Sequence, residues 1–243
     1  MQLKPILDVR FFFATAPLPC PYLDGRMERR IVTELVGRDA VALHDSLTHA
    51  GFRRSHAIVY APACTGCDAC VPLRIVANAF RPSRSHRRIW RRNAAFEVAE
   101  RPPIATVEQF DLFVRYQHSR HADGDMAQMT FDDFRSLIED TPIETALVEV
   151  RDSEGVLIAA VLADRIGDGL SAVYSFFDPD REKDSLGTFL ILWLVARARA
   201  LALPYVYLGF WIAECRKMSY KSAFAPVEMR GKTGWVSLGA GFR

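Results

Sequence analysis

Leu170–Ser171–Ala172–Val173–Tyr174–Ser175–Phe176–Phe177 is an apolar, aromatic run of strand character, and the segments on its C-terminal side decide the fold. Asp178–Pro179–Asp180 breaks the run, because proline removes a backbone donor and aspartate favours turns. Ser185–Leu186–Gly187–Thr188 then opens a long apolar segment of good helix formers that continues through Leu201. Pro204 closes that segment, and Tyr205–Val206–Tyr207–Leu208–Gly209–Phe210–Trp211–Ile212 reads as a second strand. Strand, turn, helix, strand predicts a βαβ-type unit. The helix N-terminus at its crossover is a place to hold an anion, so Ser185, Gly187 and Thr188 are candidate phosphate contacts through their backbone amides.

Outward from this unit, composition sets the bounds. The chain has 243 residues, enough for one large domain or two small ones, and half of them are hydrophobic. A net charge of +2 gives no global basic field, so any signal for nucleic acid must be local. Five cysteines, three of them in a CxxCxxC run, argue against a secreted disulfide framework and for a reducing compartment. Met1 to Arg10 carries Lys4, Asp8 and Arg10 and no long apolar core, so it does not read as a signal peptide. The Phe189–Leu203 stretch is too short to span a membrane and contains Arg197 and Arg199. The expectation is a cytoplasmic protein with no membrane partner.

Upstream, Pro17–Leu18–Pro19–Cys20–Pro21–Tyr22 is proline-stiffened and cannot be helical. Asp39 is placed to cap a helix running to about Ala50, with Gly51 as its stop. Phe52 to Tyr60 reads as one strand with a polar first half, and Val71 to Ala77 as another. Pro102–Pro103 marks a boundary between an N-terminal region, 1–103, and a C-terminal region, 104–243. Beyond it, Thr106 and Gln109 form a capping box for a helix to about His118. Tyr116 to Asp125 then leaves that helix through a polar turn. Thr130 to Ile138 is a second helix, and Glu144–Val150 and Val156–Ala163 form a hairpin around Ser153–Glu154–Gly155. The pattern as a whole is α/β, of the α+β kind, with no internal repeat.

Two residue clusters carry chemistry without reference to any relative. Arg84, Arg87, Arg88, Arg91 and Arg92 share a broad face if Ser83–Asn93 is helical, and no acid lies among them. Like charges so placed repel unless a polyanion lies beside them, which points to nucleic-acid phosphates; a solvated helix face is the alternative. Cys64, Cys67 and Cys70 are spaced like metal ligands, and Cys20 is a candidate fourth. Tetrahedral zinc and iron–sulfur clusters both take four such thiolates, and the role would be structural; a tight loop of small buried thiols is the other reading.

The blocks Tyr174–Asp180, Ser185–Thr188, Tyr205–Ile212 and Lys217–Met218–Ser219–Tyr220–Lys221 resemble the C-terminal half of the bacterial aspartate/glutamate leucyltransferases, relatives of the eukaryotic arginyl-tRNA–protein transferases. The resemblance extends through nearly the whole chain. It implies a GNAT-like acyltransferase fold in the C-terminal half, with a smaller cysteine-containing N-terminal region. It also implies transfer of leucine from leucyl-tRNA to the N-terminal Asp or Glu of an acceptor protein, which marks the product for degradation by the N-degron route.

The acceptor side chain would be an anion, which makes Arg26, Arg29, Arg30, Arg74, Lys217, Tyr220 and Lys221 substrate-binding candidates. An aminoacyl ester is already activated, so no cofactor is required; the enzyme must align amine and ester, take a proton and stabilise an oxyanion. Asp178, Asp180 and His118, with His121 as a further base, and Tyr174 make up the catalytic set. Tyr174, Phe177, Trp211 and Tyr220 are also candidates to line a pocket for leucine or adenine. The loop equivalent to the coenzyme A pyrophosphate site has the single Gly187, which suits the aminoacyl-adenosine end of tRNA better than coenzyme A. Asp184 stands where the family usually has a basic residue, and Glu214–Cys215 where it has small ones. A coenzyme A-dependent N-acetyltransferase and a non-catalytic RNA-binding module remain as alternatives.

Overall fold

The computed structural model describes residues 10–122 and 124–239. Nearly all of the Met1–Arg10 segment, and Asp123 of the polar turn, lie outside the described residues. The N-terminal region contributes β1 (Phe13–Ala14), β2 (Leu18–Pro19), β3 (Met27–Glu28), β4 (Arg30–Glu34) and helix α1 (Ala40–His49). β5 (Arg53–Ser55), β6 (Ile58–Pro62), β7 (Val71–Val76), α2 (Arg84–Arg92) and β8 (Glu97–Arg101) come after them. Next are α3 (Val107–Arg120), α4 (Phe131–Glu139), β9 (Thr145–Arg151), β10 (Leu157–Ile166) and β11 (Gly169–Phe177). The chain then runs through α5 (Leu186–Ala200), β12 (Tyr205–Trp211), β13 (Val227–Gly231) and β14 (Gly234–Ser237). Among the described residues no helix is long and apolar enough to cross a membrane.

Eight strands form one mixed sheet in the order β14-β13-β7-β12-β11-β10-β9-β8. β10 sits inside it and is an almost unbroken apolar run, as a strand covered on both faces must be. Leu157, Ala160 and Leu162 pack with Phe113 of α3 and Phe134 of α4 on one face. Ile158, Ala159, Val161 and Ala163 pack with Phe189, Leu190 and Leu194 of α5 on the other. The result is an α/β/α arrangement. β7 and β8 precede Pro102–Pro103 in the chain, so the sheet crosses the boundary read from the sequence. A second, four-stranded sheet, β1-β4-β6-β5, is covered by α1 through Leu35, Ala40 and Val59.

The βαβ reading holds: β11 and β12 are parallel and α5 connects them. The capping boxes at Thr106–Gln109 and Thr130–Asp133 start α3 and α4. Ser83 caps α2 in the same way, with His86 as the reciprocal partner. Three local expectations need correction. Phe52–Tyr60 is not one strand: His56 takes φ 52°, and β5 and β6 pair antiparallel across that turn. Asp39 precedes α1 but its side chain does not cap the helix; it pairs with Arg10 instead. α3 continues to Arg120, two residues past its expected end, so the polar stretch from Tyr116 leaves the helix only at His121.

The two sheets are joined by a buried ion pair. Arg54 on β5 donates from Nε and Nη2 to the two carboxylate oxygens of Asp164 on β10, each at 2.7 Å, and Thr145 Oγ1 donates to the same group at 2.8 Å. Both charged side chains are essentially out of solvent. This contact fixes β5, and with it the neighbouring Arg53, against the large sheet.

Candidate active site where two parallel strands part

β11 and β12 pair through only three residue pairs, Gly169–Tyr205, Leu170–Val206 and Ser171–Tyr207. Beyond them the strands part, although β11 runs on to Phe177 and β12 to Trp211. β12 also carries a bulge between Tyr207 and Gly209, where Gly209 takes φ 68°. Arg53 reaches across from β5 into the opening, donating from Nη2 to Val173 O and from Nη1 to Leu208 O at 3.4 Å. A Cβ on residue 209 would fall 1.7 Å from Arg53 Nη1, so only glycine leaves room for the guanidinium. Among the described residues Arg53 has no carboxylate partner.

Lys221 enters from the other side, on the 3-10 turn Arg216–Ala223. Its Nζ donates to Leu208 O at 2.9 Å and to Phe210 O at 2.6 Å. Desolvation, with the nearby Arg53 charge, pushes its pKa down to about 7, while Cys215 acts the other way. Tyr174 on β11 accepts a 2.6 Å hydrogen bond from Gln117 Nε2 on α3. Gln117 is buried, and among the described residues its Oε1 has no hydrogen-bond partner. Burial raises the hydroxyl pKa values of Tyr116 and Tyr174, and crowding of the inner part of their rings does the same at Tyr22 and Tyr220, whose outer parts are exposed; Arg53 opposes the shift at Tyr22, Tyr174 and Tyr220. Tyrosines thus surround the opening, and the basic side chains of Arg53 and Lys221 meet inside it. Tyr22 belongs to the proline segment of the N-terminal region, and Tyr60 of β6 closes the side by packing on Phe210 at 5.9 Å.

Other expected residues lie elsewhere or are already engaged. Asp178 is held by Arg115 at 2.6 Å and takes the Asp180 amide at 3.1 Å; Asp180 itself pairs with Arg115 at 3.2 Å. Both are turn residues with cationic partners. His118 is on the exposed side of α3. His121 packs edge-on against Tyr116 and its pKa is lowered by burial, then by Lys217 and Arg120. Arg74 is far from free: Glu228 takes its Nε at 2.8 Å, Tyr207 accepts from Nη1 at 3.1 Å, and its guanidinium lies 3.5 Å from the Tyr205 ring and 4.4 Å from that of Trp235. Trp211 is core.

Arg30 pairs with Glu28 at 2.7 Å and stacks over Tyr60, while Arg26 and Arg29 line a separate hollow with Pro17, Met27 and Cys67. Lys217 and Tyr220 are exposed on the turn that carries Lys221. Gly187 serves packing: a Cβ there would meet the Phe177 ring at 3.0 Å. Ser185 precedes α5 in a left-handed conformation and makes no side-chain cap.

Cys20, Cys64, Cys67 and Cys70 are neighbours. Burial, with the other three thiols, pushes Cys70 up to about 11. Cys64 Sγ takes the Arg29 amide at 3.4 Å, and among the described residues no three His, Cys, Asp or Glu side chains converge as metal ligands. No chemistry is routed through a metal at these thiols.

The arginine helix is as expected. Arg84, Arg87, Arg88, Arg91 and Arg92 are all exposed while His86 and Ile89 face inward. Among the described residues none of the five meets a carboxylate. Arg92 donates to Lys183 O and Asn93 Nδ2 to Asp184 O at 2.8 Å, which seats the end of α2 beside the start of α5.

Family models named for the arginine-tRNA-protein transferases match this chain in two parts, the N terminus over residues 18–88 and the C terminus over residues 108–231. An aspartate/glutamate leucyltransferase of Paramagnetospirillum magneticum is 59% identical, over 98% of this chain and 97% of its own. The chain belongs to this family. A second member, from Granulibacter bethesdensis, is 57% identical over 97% of this chain and 88% of its own. Among solved structures, L-PGS from Bacillus licheniformis superimposes with a TM-score of 0.46 and 11% identity, over 74% of this chain and 52% of that one. The strand opening draws on both family segments, since Arg53 falls in the first and Tyr174, Gln117 and Lys221 in the second.

Two of the site's members are missed by sequence reasoning. Arg53 reads there as a polar residue at a strand start, and Gln117 as part of a polar turn. A signal for Arg53 does exist, in Gly209: a glycine inside an apolar strand marks a bulge or a close approach.

Proposed function

We propose that this protein transfers leucine from leucyl-tRNA to the α-amine of an acceptor protein that begins with Asp or Glu. The product then enters N-degron degradation, and the protein acts in the cytoplasm. The observation that carries the reading is the acid-free guanidinium of Arg53, held in a tyrosine-lined recess beside Lys221. A planar fork with spare donors suits a carboxylate, and a recess excludes the water that would hydrolyse the ester.

In this reading Arg53 grips the acceptor side-chain carboxylate. Tyr174, oriented by Gln117, faces the reacting groups, and Tyr220 and Lys217 lie at the rim. The exposed arginines of α2 take tRNA phosphates. Because α2 abuts the start of α5, the amides at Ser185, Gly187 and Thr188 sit beside the same path. A GNAT-like description of the C-terminal half is supported by the β11–α5–β12 crossover and by strands that part after three residue pairs. The ester supplies the driving force, so the transfer draws on no bound cofactor.

The test supplies radiolabelled leucyl-tRNA with peptides beginning Asp, Glu, Asn or Gln. Label on the acidic peptides, and little on the amides, is the expected result. Acetyl transfer from acetyl-coenzyme A, or RNA binding with no transfer at all, would overturn it.

A further inference from the structure

Among the described residues Lys221 is hydrogen-bonded to the main chain alone. Its Nζ donates to two main-chain carbonyls, Leu208 O at 2.9 Å and Phe210 O at 2.6 Å, on the bulged part of β12. A neutral amine has two hydrogens, and both are then used. What remains is one lone pair, and the carbonyls fix its direction. An ammonium in the same place would carry a third N–H and a net charge beside Arg53, with no carboxylate among the described residues to offset it. Leu208 O also receives Arg53 Nη1, so the two nitrogens are no further apart than two hydrogen bonds to one oxygen. An N-terminal aspartate holds its α-amine and its side-chain carboxylate at comparable separation.

We infer that Lys221 is the general base of the transfer, taking a proton from the α-ammonium of the acceptor while Arg53 holds that residue's carboxylate. This rests on the transferase reading above. The freed amine nitrogen attacks the ester carbonyl carbon, forming the C–N bond. The C–O bond to the ribose breaks and the leaving oxygen takes the proton carried by Lys221. The amine has then lost two protons, one now on the ribose hydroxyl and one in solvent.

The groups facing Lys221 act in opposite senses. Desolvation opposes its protonation most, Arg53 from β5 adds to that, and Cys215 from the loop after β12 favours it. The neutral amine is present above a pKa of about 7 and is lost as pH falls through that value. Among the described residues around the opening, Tyr116, Tyr174 and Tyr220 are shifted upward and stay protonated at neutral pH, and Asp178 and Asp180 outside it are held by Arg115, which leaves the deprotonation to Lys221.

Three measurements decide it. Competitive acetylation with acetic anhydride, quantified for each lysine by mass spectrometry across pH, should give Lys221 a midpoint near 7; a midpoint near 10 overturns the proposal. Lys221→Met and Lys221→Arg should each lower kcat for leucine transfer to an Asp-initiated peptide by about 100-fold or more, with the peptide KM changed by less than about three-fold. The wild type should lose activity on the acid side near pH 7, and the arginine variant should keep only the limb of the acceptor's own α-amine. Retained kcat, or a change confined to KM, would make Lys221 a binding residue and sink the base. If the methionine variant no longer binds tRNA, the arginine variant decides, since it keeps donors for both carbonyls. A wild type that transfers no leucine to any acidic peptide removes the transferase reading and the base with it. A wild type that transfers normally alongside active Lys221 variants removes the base alone.

Discussion

Arg53 and Lys221, from opposite halves of the chain, donate to the same carbonyl oxygen, that of Leu208. The carbonyl is free to accept both because β12 has already left its pairing with β11. Two basic side chains thus share one acceptor, and in the reading proposed above Arg53 takes the acceptor carboxylate while Lys221 faces its amine. Arg53→Lys removes the fork but keeps the charge. Losing charge-assisted hydrogen bonds of this kind costs about 1.5–3 kcal/mol, or roughly 10- to 100-fold. The expected result is a peptide KM raised by that factor, with preference for Asp over Asn collapsing and tRNA affinity unchanged. Intact discrimination in steady-state assays would remove Arg53 from acceptor binding.

Gly209→Ala should reproduce that defect without touching a charge. The new methyl would fall 1.7 Å from Arg53 Nη1, at a backbone φ of 68° that favours glycine. Backbone strain alone costs about 1–3 kcal/mol. Denaturant unfolding and peptide kinetics on the same variant should therefore show a loss of stability together with weakened Asp recognition.

The arginines of α2 offer a test that needs no catalysis. Replacing Arg87, Arg88, Arg91 and Arg92 by alanine should weaken tRNA binding and flatten its salt dependence. Each phosphate contact contributes about 0.7–0.9 to the slope of log K against log salt, so loss of four should reduce it by about 3. Filter binding at several salt concentrations measures both; an unchanged slope assigns the helix to solvent.

Asp178→Asn and Asp180→Asn are expected to transfer leucine within about three-fold of wild type. Their carboxylates face Arg115 rather than the recess. Partly exposed pairs of this kind contribute less than about 1 kcal/mol, so stability should barely move. A hundred-fold loss of kcat in either variant would return the acid–base role to this turn.

Asp164→Asn strikes the joint between the two sheets. It leaves the buried guanidinium of Arg54 without its bidentate partner, and such a loss typically costs about 3–5 kcal/mol. Urea unfolding should shift by that amount. Arg53 is the next residue along β5, so peptide recognition should weaken in parallel.

Local structure was legible wherever one face of an element is apolar and its ends carry turn chemistry. β11, α5 and β12 fall within a residue or two of their expected limits, and Thr106–Gln109 and Thr130–Asp133 start their helices. Phe52–Tyr60 failed because a single residue in the left-handed region, His56, turns the chain where no glycine or proline marks a turn. Arg74 looked available because nothing in its vicinity in sequence shows that Glu228, Tyr205 and Trp235 enclose it.

The amino-acid order by itself determined the strand–helix–strand unit, the exposed arginine row and the family likeness, because each rests on short-range periodicity, capping or composition. Which basic side chains meet in the strand opening was settled only in three dimensions. Arg53 lies 155 residues from Leu208, and the bulge at Gly209 and the buried Arg54–Asp164 pair must both form before they meet. Charge and size are written locally, but whether a side chain is free or already paired depends on neighbours that only the folded sheets bring within hydrogen-bond distance.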